Sequence, residues 1–138
     1  MVDSAIRNAV LMHDDLLLNS EEMGYMIETT VFRHIITKYS INHQLGYYRE
    51  QKGDKDREID IVAKSFDNTK YIEVKYQEDP KINSNNPILH LPKKGDDVFI
   101  ITKKDSDYSI TELENGVKLL KIPAFAFLYL LGKEEYKE

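Results

Sequence analysis

Two short stretches, Arg57-Glu58-Ile59-Asp60-Ile61-Val62 and Tyr71-Ile72-Glu73-Val74-Lys75-Tyr76, decide how this chain reads. Each alternates charged with β-branched or aromatic residues, the period of a strand whose successive side chains leave opposite faces. The alternation predicts that Glu58 shares a face with Asp60, and Glu73 with Lys75, while Ile59, Ile61, Ile72 and Val74 point the other way. If the two strands pair, three carboxylates and one ammonium meet on one patch. Carboxylates held among apolar strand residues are costly unless their charge is compensated. A divalent cation does this: Mg²⁺ prefers oxygen ligands, keeps several waters and is commonly held by one or two carboxylates plus substrate phosphate. Asp60 and Glu73 are therefore the candidate ligands of Mg²⁺ or Mn²⁺. Lys75 is the candidate to orient or help deprotonate an attacking water and to stabilise charge on the phosphate. An isolated Glu-x-Lys is more often a polar strand face with a weak ion pair. The mid-strand Asp60, and Glu28 on a helix before both strands, favour the site.

Outward from these lines the elements follow. Strands are expected at 45–48, 59–63 and 71–76, joined by the polar turns Lys52-Gly53-Asp54 and Asp67-Asn68 as antiparallel hairpins. Ahead of them the longest helix runs from Ser20, read as its cap, through Ile27, Val31, Ile35 and Ile36 to about Tyr39. A short opening helix is expected over 3–11, with Ala5, Ile6, Ala9 and Val10 as its apolar side. Residues 77–95 carry Pro80, Pro87 and Pro92 with Asn83, Asn85 and Asn86, and read as a long connection with at most a turn or two of helix. Its length lets the next strand, 98–102, lie parallel to its neighbour. Strands at 109–112 and 117–122, linked through Asn115-Gly116, and a helix at 124–131 complete a mixed α/β sheet. The charged tail 133–138 is expected to fray.

At 138 residues the chain fits one domain, and 31% charged with 41% hydrophobic residues suits a folded globular protein. Cysteine is absent, so disulfides and thiolate metal sites are excluded and any metal takes oxygen or imidazole ligands. The apolar stretch 124–131 falls short of the roughly 20 residues that cross a bilayer, and a soluble, cytoplasmic protein is expected. His13, His34, His43 and His90 show no close metal-ligand pair. The net charge of −5 works against non-specific DNA affinity, which comes from neutralising phosphates. Arg49, Lys52, Lys55 and Arg57 form one candidate basic strip for DNA. Glu50, Asp54, Asp56 and Glu58 are interleaved with it, so a solvated hairpin turn is its first reading. Tyr48 reads as a packing residue.

The ordered set Glu28, Asp60, Glu73 and Lys75 resembles the PD-(D/E)xK nuclease superfamily, in which an acidic helix residue, a strand Asp and a strand Glu-x-Lys occur in that order. The resemblance implies a restriction-endonuclease-like αβββαβ core with a mixed central sheet flanked by helices. More narrowly, Asp3…Arg7-Asn8, Gly24…Glu28, Tyr47-Tyr48-Arg49, Glu58-Ile59-Asp60-Ile61 and Glu73-Val74-Lys75-Tyr76 resemble the nuclease-like C-terminal domain of a group of prokaryotic AAA-type ATPases. The match covers most of residues 3–76. It implies catalysis by Asp60, Glu73 and Lys75, a metal shell of Asp60, Glu73 and Glu28, and support from Glu58 and Gln77. It also implies an ATPase module as partner, from which this domain is the C-terminal part. The chain departs from the pattern in two places. The full helix normally following Glu-x-Lys is replaced by 77–95, and no Gly-x-x-x-x-Gly-Lys-Ser/Thr phosphate loop occurs, so the chain as given is not expected to hydrolyse ATP.

Two functions follow as expectations: a metal-dependent DNA-cleaving domain, with Arg49, Lys52 and Arg57 along the nucleic acid, or a catalytically inactive module of the same fold serving regulation, protein contacts or DNA binding for the ATPase. A free-standing toxin or defence nuclease is a third, against which the abrupt start at Asp3 counts.

Overall fold

The computed structural model describes residues 20–52 and 55–135. The opening helix expected at 3–11, the Gly53-Asp54 turn and the last three residues lie outside the described residues. Helix α1 spans Ser20–Tyr39, with Glu21 and Glu22 in its first turn and Lys38 in its last, each sign suited to the helix dipole. It buries Val31 and Ile35. Strands β1 (Gln44–Lys52), β2 (Lys55–Lys64) and β3 (Thr69–Lys75) follow. After a three-residue 3-10 turn, Pro87–Leu89, come β4 (Asp97–Thr102), β5 (Ser109–Glu112), β6 (Lys118–Pro123) and helix α2 (Ala124–Glu135). The six strands form one open mixed sheet in the order β1-β2-β3-β4-β6-β5. β1, β2 and β3 are antiparallel neighbours, β3, β4 and β6 run parallel, and β5 pairs antiparallel with β6.

Alternation along β3 and β4 splits the core between the two faces of the sheet. On one face Ile61, Ile72, Ile101 and Ile122 pack with Val31 and Ile35 of α1 and with Ala124, Phe127 and Leu131 of α2. On the other, Ile59, Val98, Ile100, Val117 and Leu119 pack around Ile88 of the 3-10 turn. The expected mixed α/β sheet with flanking helices is thus present. Where the αβββαβ scheme carries a full helix between its third and fourth strands, this chain has only the Pro87–Leu89 turn. The prolines explain this, since each lacks the N–H that a helix interior requires. Helix α2 continues to Glu135, beyond the expected end at 131. Lys38 of α1 pairs with Glu134 there. Among the described residues no helix is long and apolar enough to cross a membrane.

One expectation fails within β2. Strict alternation would put Ile59 and Ile61 on one face, yet they belong to the two different core clusters. The register explains it: Gly46 faces Val62 and Tyr48 faces Ile59, so Tyr47 alone stands opposite both Asp60 and Ile61. This is a β-bulge, and the extra residue reverses the alternation beyond it. Glu58 and Asp60 therefore cannot be placed on one face by counting in twos.

Candidate functional site

The bulge sits where two central strands part. Paired positions of β2 and β3 run from Lys64↔Thr69 to Ile61↔Ile72 and stop there. Beyond that point the Val74 amide of β3 donates to a side chain instead, the Asp60 carboxylate, at 2.7 Å to Oδ2. Asp60 thus takes over a ladder position in the seam between the strands. On β3, Glu73 lies beside Ile100 of β4 in the parallel register, on the face covered by the 3-10 turn. It is 1% exposed. Its Oε1 accepts from the Lys75 ammonium at 2.6 Å and from Asn86 Nδ2 at 3.4 Å. Its Oε2 is buried with no hydrogen-bond partner. A buried carboxylate oxygen without a donor is costly, and such atoms in a fold call for an explanation.

Electrostatics tie the group together. Burial, and then the Glu73 charge, push the Asp60 carboxyl up to about 7. The Val74 hydrogen bond opposes the rise, Glu28 adds to it and Lys75 opposes it. Burial also raises Glu28, with Glu58 and Glu73 adding to the effect and Lys75 countering it. For Lys75, burial works against the charged form, but the bond and charge of Glu73, with Asp60 and Glu58 behind it, outweigh that and hold the ammonium above its ordinary value. Glu28, Asp60 and Lys75 are thus each shifted by burial and by charged neighbours drawn from one small set, in which Glu73 acts on all three and Glu58 on Glu28 and Lys75. A cavity of about 440 Å³ opens on the α1 side, bounded by Glu28, Tyr47, Arg49 and Asp60. A second, of about 290 Å³, is bounded by Glu73, Lys75, Arg57 and the asparagines 83, 85 and 86. Glu58 borders both.

The remaining candidates lie differently. Gln77 is exposed past the end of β3, its amide donating to the Lys75 carbonyl at 2.9 Å. Arg49 binds Glu58 through Nε at 3.2 Å and Nη2 at 2.9 Å, and Arg57 lies 3.9 Å from Glu50. Lys52 ends β1. Tyr48 donates to Glu50 at 3.0 Å and packs against the second core cluster. Sequence reasoning passed over Asn86. Its signal was present in the Asn86-Pro87 pair, a capping residue followed by proline at the first position of a helical turn.

The donor set suits a hard divalent cation. Glu73 offers an unpartnered oxygen, and the burial that raises Asp60 and Glu28, with the repulsion between the acids adding to it, is a cost that a nearby cation offsets. Among the described residues no three or more His, Asp or Glu side chains are gathered as a ready metal-binding group. A cation at Asp60 and Glu73 would complete its shell with water and phosphate, as Mg²⁺ commonly does.

A mixed α/β domain with an acid-and-lysine cluster at the split between two central strands is the class that fold and site together define. The chain belongs to the family DUF4143, a domain of unknown function, whose pattern matches residues 23–125. No curated protein matches it. Among solved structures it is similar to a chain of the refined half-complex from a tetradecameric assembly of Thermococcus gammatolerans McrB AAA+ hexamers with bound McrC, at 13% identity and a TM-score of 0.46. That similarity covers 73% of this chain, which spans 28% of the other.

Proposed function

We propose that this domain is a divalent-metal-dependent phosphodiesterase of the PD-(D/E)xK type, acting on DNA as the C-terminal part of an AAA-type ATPase. The observation that carries the reading is the fork itself: a buried Glu73 with one oxygen bound to Lys75 and the other unpartnered, beside Asp60 in the seam. Asp60 and Glu73 hold the ion, with Glu28 and Glu58 supplying further negative charge. When bound, Mg²⁺ or Mn²⁺ supplies Lewis-acid polarisation of phosphate and a more acidic water. Lys75, whose ammonium is favoured by its carboxylate neighbours, acts as a cationic donor that orients the water and stabilises charge building on the phosphate. The ATPase link rests on the resemblance of residues 3–76. The direct test incubates the protein with Mn²⁺ and single- and double-stranded DNA. Cleavage is expected from the wild type and none from Lys75→Ala, with both variants folded. Intact DNA across a wide range of protein concentrations would rule out catalysis by this domain.

A second reading, a catalytically inactive module serving regulation or protein contacts of the ATPase, is favoured by one feature. Arg49 and Arg57, two of the residues proposed for DNA, are engaged with Glu58 and Glu50 in a chain of net charge −5. Calorimetric titration with Mn²⁺ separates the readings: uptake that depends on Asp60 and Glu73 supports the first, and no uptake supports the second.

A further inference from the structure

The segment that replaces the expected helix after β3 brings one more side chain to Glu73. Asn86 starts the Pro87–Leu89 turn in extended backbone, and its Oδ1 accepts from the Ile88 amide at 2.9 Å. Its own amide donates to the Asn83 carbonyl at 2.8 Å, and its carbonyl accepts from Leu89 at 3.0 Å. The turn is fixed to the fold by Pro87, which is buried, and by Ile88, fully buried in the second core cluster. With Oδ1 committed to an N–H donor, the amide has one orientation, and the group it presents to Glu73 Oε1 is its NH₂, 3.4 Å away. Lys75 approaches that same oxygen. Both donors thus sit on Oε1, and Oε2 is left for a ligand.

We infer that Asn86 is a positioning residue: it holds the Glu73 carboxylate so that Oε2 faces an incoming divalent cation. The inference rests on the reading of Glu73 as a metal ligand, and it gives the asparagine-rich connection a part in the site. Groups that orient a ligating carboxylate typically matter about 10–100-fold in metal affinity.

Serine caps a helical turn about as well as asparagine but is too short to reach Glu73, so Asn86→Ser removes the contact while keeping the cap. Titrated with Mn²⁺ alone by calorimetry, Asn86→Ser is expected to bind about tenfold more weakly than the wild type, with a melting temperature near the wild-type value. Equal affinity in the two proteins would overturn the inference and leave the proposed function standing. A metal-free readout keeps the two separate. In ¹⁵N NMR spectra the Asn86 side-chain NH₂ pair, identified by its loss in Asn86→Ser, is expected to move upfield in Glu73→Gln, because a charged acceptor gives the stronger hydrogen bond. If wild-type protein takes up no Mn²⁺, the proposed function falls. The positioning role for a cation falls with it, whereas an unmoved NH₂ signal in a protein that does take up Mn²⁺ overturns the positioning role alone.

Discussion

Asp60 and Glu73 carry opposite lessons about buried acids. Glu73 has an ammonium beside it, whereas Asp60 has one backbone donor and a raised pKa of about 7. An unfolded aspartate titrates near about 3.9, so between roughly pH 4 and 7 the folded chain binds more protons than the unfolded one. The Asp60 contribution to stability is therefore fully present in acid and is lost as pH rises through 7. Asp60→Asn, which still offers an oxygen to Val74, is expected to match the wild type near pH 4 and to exceed it in stability at pH 8. Urea unfolding at both pH values checks this, and equal pH dependence in the two proteins would count against the buried-charge account. Lys75→Ala should cost about 2 kcal/mol, because it strips a buried carboxylate of its partner. Adding Glu73→Gln should recover much of that loss in the same unfolding experiment. Glu73, Lys75 and Asp60 were legible in the sequence because charges standing amid β-branched runs need a physical reason to be there. Asn86 was not, because its contact depends on how a proline-rich connection folds back over the sheet.

Along the chain, the strands and the long helix announced themselves by period, and the departures have local causes. Alternation located β2 but not its bulge, because a register shift is a property of the pair β1–β2 and leaves no mark in one strand's own pattern. The 77–95 connection was correctly free of a full helix, since three prolines forbid one. Two glycines make the element account testable with opposite signs. Gly116, between β5 and β6, has φ +75, and a Cβ there would meet nothing within 4 Å, so Gly116→Ala should cost about 1 kcal/mol from backbone strain alone. Gly24 lies inside α1 with the same open space, and Gly24→Ala should stabilise by about 0.5–1 kcal/mol. Thermal melts of both variants measure the contrast, and a shared sign would contradict the assigned conformations.

Taken together, the fold places an acidic fork between two cavities at a seam of the sheet, with α1 and α2 on one face and the asparagine-bearing turn on the other. The core residues on either face follow from hydrophobic patterning, but which face Glu73 joins depends on β3 lying parallel to β4, a long-range choice that the sequence allowed without naming the register. A ligand that binds only the folded state raises its stability, by about 2.7 kcal/mol at 100-fold excess over Kd. Mn²⁺ should accordingly raise the melting temperature of the wild type and leave that of the Asp60→Asn, Glu73→Gln double variant unmoved. The most direct measurement is a crystal soaked in Mn²⁺ and read by anomalous diffraction. The account predicts a single peak in the fork in contact with both the Asp60 carboxylate and Glu73 Oε2, with Lys75 beside it. A fork without a peak, or manganese held only by surface carboxylates elsewhere, would contradict it.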